Sequence, residues 1–278
     1  MRFEIIKDSQ KLADLRQKLR DKYPYSLEKF GKIVRYEMPA LPQPFPRLLQ
    51  LLDNGPYPRK FWGIEYYIAT KGGHIDRIIP SAEYYKFAFR AIADKYYSLN
   101  LTVETIEKLV QEIREIYKRR RFTVSSTAQP SFSVHNQVYS LKSELGNLFF
   151  TSRSIMDSVA TLMHFHYGPS SSQFSSFADF KRYICNSRQT SGGIADEEVK
   201  QYIENDMSWF SRVRDIRDYI THFKSIDISL YEQALGEIDV YLEDQFEIME
   251  LIRSVKEGVT GFLEFMDEHF SQRLIQNA

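Results

Sequence analysis

A regular spacing of apolar residues in the second half of the chain constrains the fold more than any other feature. Small or apolar residues recur there at alternating intervals of three and four positions: Val138, Leu141, Leu145, Leu148, Ser152, Ile155, Val159 and Leu162. This spacing places them on one face of an α-helix. A long helix with one apolar stripe has to bury that stripe against other helices. The spacing predicts one long helix that ends before Gly168-Pro169.

Further helices are predicted on both sides of a short alternating segment. A helix over 176–186 precedes a long one that starts at an Asp196 N-cap, and a last helix covers 245–274. The core face of the long helix consists of Trp209, Val213, Ile216, Ile220 and Phe223. Between the last two helices, apolar and polar residues alternate around Gly236, which predicts a small β-hairpin. The expected fold class is all-α, an antiparallel helical bundle with this hairpin.

The first part of the chain predicts a mainly helical region interrupted by a proline-rich loop. Six of the ten prolines lie in the stretch from Pro39 to Pro58, where no long regular element is expected. Helices are predicted before Pro24, over 82–98 and from Thr102 to Arg120, with a turn at Gly72-Gly73. Residues 121–135 are polar and rich in Ser and Thr. They predict a boundary between domains 1–130 and 131–278.

The composition narrows the class of protein. Lys plus Arg and Asp plus Glu both number 37, so no overall field attracts nucleic acid or anionic membrane. The chain has a single cysteine, Cys185, which excludes an internal disulfide framework. No window is apolar enough for a membrane span, and the first residues do not form a signal peptide. We expect a soluble, cytoplasmic protein without a membrane partner.

A group of polar side chains near the end of the Asp196 helix carries the chemistry. Arg214, Asp218 and His222 follow one another at intervals of four, and Arg217 lies beside them. Asp218 can orient the His222 imidazole for proton transfer, and an arginine can bind phosphate oxygens. Such a pair can cleave an RNA phosphodiester without a metal, using the 2′-hydroxyl. On physical grounds alone, a solvated and salt-bridged helix face is the more common explanation of such residues.

The motif resembles the R-x4–6-H signature of the HEPN superfamily, with a polar residue after the arginine. The preceding long helix carries Arg153-Ser154-x-x-Asp157-x-x-Ala160, which is similar to the first helix of many HEPN proteins. The resemblance covers about residues 136–278. It implies a HEPN-like four-helix core, a homodimer with a composite cleft, and a metal-independent endoribonuclease of the toxin–antitoxin or phage-defence type.

Under this resemblance the residues receive roles. Arg217 and His222 are the catalytic pair and Asp218 orients the imidazole, while Glu144, Arg153 and Asp157 line the cleft. An antitoxin or another regulatory protein is an expected partner, and no cofactor or metal is expected. The chain departs from the family at Lys224, where toxins silenced by a nucleotidyltransferase usually have tyrosine.

Other interpretations stay open. The same cleft could belong to a non-catalytic HEPN-like module that binds a nucleotide or a protein, or the bundle could be purely structural. A basic cluster, Lys118-Arg119-Arg120-Arg121, ends a predicted helix. It is a candidate RNA-backbone contact, although cations at this position also stabilise the negative end of the helix.

Overall fold

The computed structural model describes most of the chain. The described ranges are 2–5, 44–54, 66–71, 74–121, 133–167, 176–185, 196–222, 226–234 and 237–276, with Gln10, Ala13, Asp14, Gln17 and Phe174. The chain separates into two compact units, Met1–Ala93 with Leu263–Ala278, and Asp94–Phe262. This division does not coincide with the expected one between residues 130 and 131, and most of the expected boundary segment is outside the described ranges.

The first unit contains an antiparallel sheet where the sequence predicts mainly helix. Strands β1 (Arg2–Ile5), β2 (Tyr66–Lys71) and β3 (His74–Pro80) pair in that order. Lys71 pairs with His74 across the expected Gly72-Gly73 turn, which itself lies outside the described residues. The expected helix before Pro24 also falls almost entirely outside them. The sequence does not predict this sheet, although helix still predominates among the described residues of 1–130, through Pro46–Asn54 and Ser81–Arg121.

Helix α1 (Pro46–Asn54) is fastened through its N-terminus. The buried carboxylate of Asp267 accepts the backbone N–H groups of Arg47 and Leu48 at 3.1 and 3.0 Å. These two donors have no partner within the helix itself, and proline is suited to the first helical position. Burial raises the pKa of Asp267, while the two backbone hydrogen bonds act in the opposite direction.

Helix α2 (Ser81–Arg121) is a single element of 41 residues, whereas two helices were expected from the sequence. The segment contains neither glycine nor proline. At the expected interruption, Leu99 is fully buried and the Asn100 side chain donates to the Tyr96 carbonyl of the same helix at 3.0 Å. Burial on one side and an internal hydrogen bond on the other let the helix continue.

Helix α3 (His135–Tyr167) confirms the long helix expected from the apolar stripe. Within it, Leu141, Leu145, Leu148, Ser152, Ile155 and Val159 are fully buried. The Ser152 hydroxyl donates to the Leu148 carbonyl at 2.7 Å, so this small polar side chain is satisfied inside the core. The stripe is the core face of the helix.

The expected long helix from Asp196 is two helices, α5 (Glu197–Asn205) and α6 (Ser208–His222), which follow α4 (Phe177–Cys185). The N-cap is confirmed, because Asp196 accepts the Val199 N–H at 3.2 Å. Asp206 ends α5 by donating its backbone N–H to the Tyr202 carbonyl at 2.9 Å. The buried Met207 separates the two helices.

The expected hairpin is confirmed and extended. Strands β4 (Ile228–Ala234), β5 (Glu237–Leu242) and β6 (Phe246–Glu247) form an antiparallel sheet in that order, and α7 (Ile248–Gln276) follows. Along β5, buried Ile238, Val240 and Leu242 alternate with more exposed residues. The described part of the chain is thus mostly helical and contains two small sheets. Among the described helices, none combines the length and apolar character that crossing a membrane requires.

Candidate functional site

Arg217 and Asp218 form an ion pair near the end of α6. The Arg217 Nη2 atom lies 2.7 Å from Asp218 Oδ1, and the side chains are 26% and 45% exposed. Arg217 follows the buried Phe210 by two helical turns, so the two residues share a face of α6. Arg217 therefore occupies the border between the packed and the solvated side of this helix.

His222 is the last residue of α6, and its side chain lies outside the described part of the structure. At ~100° per residue, Arg217 and His222 are separated by about 140° around the helix axis. A phosphate that contacts both groups would therefore need a bent approach or a second subunit. The proposed Asp218–His222 hydrogen bond stays a prediction.

Arg214 has a partner other than the one expected from the spacing. Its Nε and Nη2 atoms donate to Asp215 Oδ1 at 3.1 and 2.8 Å, and both side chains are exposed. This pair of adjacent residues is on the solvated side of α6. An anion that binds the Arg214 guanidinium has to compete with the Asp215 carboxylate.

Arg153 and Asp157 of α3 are linked to one another and to neighbouring helices. Arg153 Nε donates to Asp157 Oδ2 at 3.2 Å, and the Arg153 side chain is only 12% exposed. The Arg153 guanidinium carbon is 5.3 Å from the centroid of the Phe210 ring on α6. Asp157 Oδ1 accepts the N–H of Phe177, the first residue of α4, at 2.8 Å. These contacts give the pair a structural role.

The remaining candidates lie on helix surfaces. Glu144 is half-buried and accepts a hydrogen bond from Asn147 of its own helix at 3.4 Å. Lys118 is exposed, and exposed Arg119 pairs with Glu115 one turn earlier at 2.9 Å. Arg120 and Arg121 belong to the last turn of α2, and their side chains are not among those described. The basic cluster thus ends a helix, as both of its interpretations require.

Among the described residues, no group of three or more His, Cys, Asp or Glu side chains could hold a metal ion. His164 and His166 belong to α3, but their side chains lie outside the described part. Within α6, the described ion pairs are Arg217–Asp218 and Arg214–Asp215. Their chemistry is anion binding by guanidinium groups.

We expect the thiol of Cys185 to react slowly. Burial raises its pKa, and the nearby carboxylate of Glu204 raises it further. At pH 8, therefore, a smaller fraction of Cys185 is thiolate than of an exposed cysteine. Iodoacetamide should alkylate Cys185 about threefold or more slowly than it alkylates glutathione. Glu204→Gln should increase the rate. Mass spectrometry follows the reaction at this single cysteine, and a rate equal to that of glutathione would contradict the expectation.

A groove beside α6 was not expected from the sequence. On the α6 side it is lined by Arg212, Asp215, Ile216, Tyr219 and Ile220, and on the side of the β5–β6 turn by Leu242, Glu243, Gln245 and Phe246. Its volume is about 520 Å³. Ile216 and Ile220 were expected in the core, but both are partly exposed. The one sequence signal of this groove is Tyr219, an aromatic residue next to the expected core face.

Comparisons with known proteins identify no relative: no family model, no curated protein and no solved structure matches the chain.

Proposed function

We propose that this chain is a HEPN-type, metal-independent endoribonuclease. The observation that carries the proposal is the position of Arg217, Asp218 and His222 at the end of α6. That helix contacts α3, which carries the Arg153–Asp157 segment typical of the family's first helix. Arg217 is held in one orientation by Asp218 at a partly exposed border of the bundle. A guanidinium in such a place can bind a phosphate at low entropic cost.

The proposed reaction needs two roles. His222 would accept the proton of a ribose 2′-hydroxyl, so that this oxygen attacks the adjacent phosphorus and expels the 5′-oxygen of the next nucleotide. Arg217 would stabilise the negative charge that develops on the phosphate oxygens. Because the two groups diverge around α6, we place the scissile phosphate between two copies of the chain, with Arg217 and His222 contributed across a homodimer cleft.

The biological role follows from the family resemblance. We propose a defence or toxin-type effector that an antitoxin or another regulatory protein keeps inactive. Residues 1–130 would then contact this partner or select the RNA target.

One observation favours a second candidate, a non-catalytic HEPN-like module that binds a nucleotide or a protein. Asp218 already pairs with Arg217 at 2.7 Å, so its negative charge opposes the approach of a phosphate to the same guanidinium. If the Arg217–Asp218 pair stays intact, the same surface would bind a ligand but would not cleave RNA. The two candidates differ in their products, because only the nuclease leaves RNA with 2′,3′-cyclic phosphate ends.

We expect the purified chain to cleave RNA in the presence of EDTA and to leave DNA of the same sequence intact. His222→Ala and Arg217→Ala should each lower the cleavage rate about 100-fold or more, since each removes a group that acts in the transition state. His135→Ala and Arg253→Ala are matched controls on exposed helix positions and should cleave at the normal rate. Gel electrophoresis and end-group analysis provide the measurement.

The control variants decide what a negative result means. If all five proteins cleave equally, the activity comes from a contaminant and the proposal is wrong. If the wild-type chain binds RNA without cleaving it, and Arg217→Ala weakens that binding, the non-catalytic module replaces the nuclease. Light scattering on the same samples tests the dimer.

A further inference from the structure

The groove between α6 and the β5–β6 turn has the size and lining of a small-ligand site. Its volume of about 520 Å³ falls within the usual range of ligand pockets. Ile216, Ile220 and Leu242 make part of the lining apolar, and polar groups of α6 and the turn complete it. Such a lining combines desolvation of a ligand with a few orienting hydrogen bonds.

Planar groups along the groove favour a flat, aromatic ligand. Tyr219 is an aromatic side chain with substantial exposure, at 37%. Phe246 is partly exposed, and the guanidinium carbon of Arg212 lies 5.5 Å from the centroid of its ring. Nucleobases stack on tyrosine, phenylalanine and arginine planes in this way. The ligand that matches these surfaces is a base.

The charges of the lining indicate which part of a nucleotide enters. Arg212 is the cation of the lining, and Asp215 and Glu243 are its anions, but Asp215 is already paired with Arg214 at 2.8 Å. Glu243 can attract a ligand edge that carries hydrogen-bond donors. A carboxylate accepts two parallel N–H donors, one on each oxygen. Guanine presents two adjacent donors of this kind, N1–H and the 2-amino group, on one edge.

A strained turn holds one of these carboxylates at the groove. Glu243 and Asp244 have φ angles of 53° and 57°, which are unfavourable by about 1–2 kcal/mol per residue for side chains other than glycine. The turn is fastened by the Asp227 N–H, which donates to Glu243 Oε1 at 2.9 Å, and by the Tyr231 hydroxyl, which donates to Asp244 Oδ1 at 2.8 Å. Hydrogen bonds from Ser229 and Tyr231 lower the pKa of Asp244. Strain of this kind is typical of functional sites.

We infer that this groove binds a guanine base, with the ring stacked on Tyr219 and its donor edge on the carboxylate of Glu243. The base comes either from a free nucleoside or nucleotide or from an unpaired nucleotide of an RNA strand. Neither Arg217 nor His222 takes part in this binding. The guanine site and the nuclease activity can therefore fail independently of one another.

The test is a ligand-observed NMR titration of the full chain with guanosine, adenosine, inosine and guanosine 5′-monophosphate. Guanosine should bind at least about tenfold more tightly than adenosine, and inosine, which lacks the 2-amino group, should lose most of this advantage. Tyr219→Ala and Glu243→Gln should each weaken guanosine binding about tenfold. Tyr139→Ala and Glu237→Gln change exposed residues that do not line the groove, and they should bind as wild type.

Two further outcomes complete the test. The monophosphate should bind about as tightly as guanosine, because the proposed contacts of Tyr219 and Glu243 are to the base. A U-rich pentanucleotide with one central guanosine identifies the source of the base, with the same strand carrying adenosine as its control. If the guanosine strand binds more tightly than free guanosine, the groove binds RNA. If it does not, the groove binds the free nucleoside. Equal binding of guanosine and adenosine, no binding of either, or unchanged guanosine binding in Tyr219→Ala would overturn the inference.

Discussion

Replacing Asp157 with alanine is expected to lower the free energy of unfolding by about 2–4 kcal/mol. This is less than the ~3–5 kcal/mol cost of removing one partner from a fully buried ion pair, because the Asp157 side chain is 34% exposed. The Arg153 guanidinium would remain in a side chain that is only 12% exposed, without its carboxylate. The N–H of Phe177 at the start of α4 would lose its acceptor. Lys95, whose pKa burial lowers, would also lose the carboxylate that counteracts this effect.

The matched control is Glu115→Ala on α2. Glu115 and Arg119 form an ion pair with the same helical spacing as Arg153 and Asp157, but these side chains are 63% and 80% exposed. Water screens such a pair, so its loss should change the free energy of unfolding by less than about 1 kcal/mol. Both substitutions introduce alanine into a helix, so the difference between them reports the burial of the Arg153–Asp157 pair together with the contacts of Asp157 to Phe177 and Lys95.

Equilibrium unfolding in urea, followed by tryptophan fluorescence and by helical circular dichroism, measures both variants. Asp157→Asn should fall between the two, because one amide oxygen can still accept the Phe177 N–H while the charge is lost. If Asp157→Ala and Glu115→Ala differ by less than about 1 kcal/mol, then the Arg153–Asp157 pair is not the structural link between α3, α4 and α6 that its contacts indicate.

Helix α3 could be predicted from the sequence because its evidence is local. One apolar stripe recurs within a single helix, and the Gly168-Pro169 step marks where the helix has to end. The Asp196 cap and the β4–β5 hairpin are local in the same sense, since the residues that define them are neighbours in the chain. These elements were expected and are present.

Other elements depend on partners that are distant in sequence. The pairing of β1 with β2 joins residues 2–5 to residues 67–70. No sequence pattern in either segment identifies the other as its partner. The break between α5 and α6 occurs without glycine or proline, at Asp206 and the buried Met207. Conversely, α2 continues through Leu99 because burial there outweighs weak local preference. Tertiary packing decides such cases.

The candidate site was predictable in its residue types and much less in its pairing. The spacing predicts Asp218 as a partner of His222, which stays a prediction because the His222 side chain lies outside the described part of the structure. It did not predict that Asp218 pairs with Arg217 or that Arg214 pairs with Asp215. Neighbouring residues on a helix surface can form a contact when their long side chains bend along the surface. The ideal angles of residues around a helix axis do not include this bending. The groove needed the β5–β6 turn beside α6, and the sequence carries no signal for that approach.

Gly258→Ala is expected to lower the free energy of unfolding by about 1–3 kcal/mol, although alanine is the better helix former. Gly258 lies within α7, facing the indole ring of Trp209. A Cβ atom there would lie 2.5 Å from Cδ1 and from Cε2 of the ring and would also overlap Cδ2. Because Trp209 is only 6% exposed, the ring cannot swing into solvent without losing its packing. The overlap should outweigh the ~1 kcal/mol gain in helix propensity.

Substitutions at two other glycines and one double variant distinguish the effect of this steric overlap from the effect of helix propensity. Gly146→Ala in α3 has no atom within 4 Å of the new Cβ and should stabilise the chain by about 0.5–1 kcal/mol. Gly261→Ala lies 3.3 Å from the Tyr202 hydroxyl, the movable end of a long side chain, and should be nearly neutral. In a Trp209→Leu background, Gly258→Ala should become stabilising, as Gly146→Ala is, because the ring that it overlaps is gone. Urea unfolding followed by circular dichroism measures the two single variants and the double variant. If Gly258→Ala still lowers the free energy of unfolding in the Trp209→Leu background, then steric overlap with Trp209 is not the reason that α7 has glycine at this position.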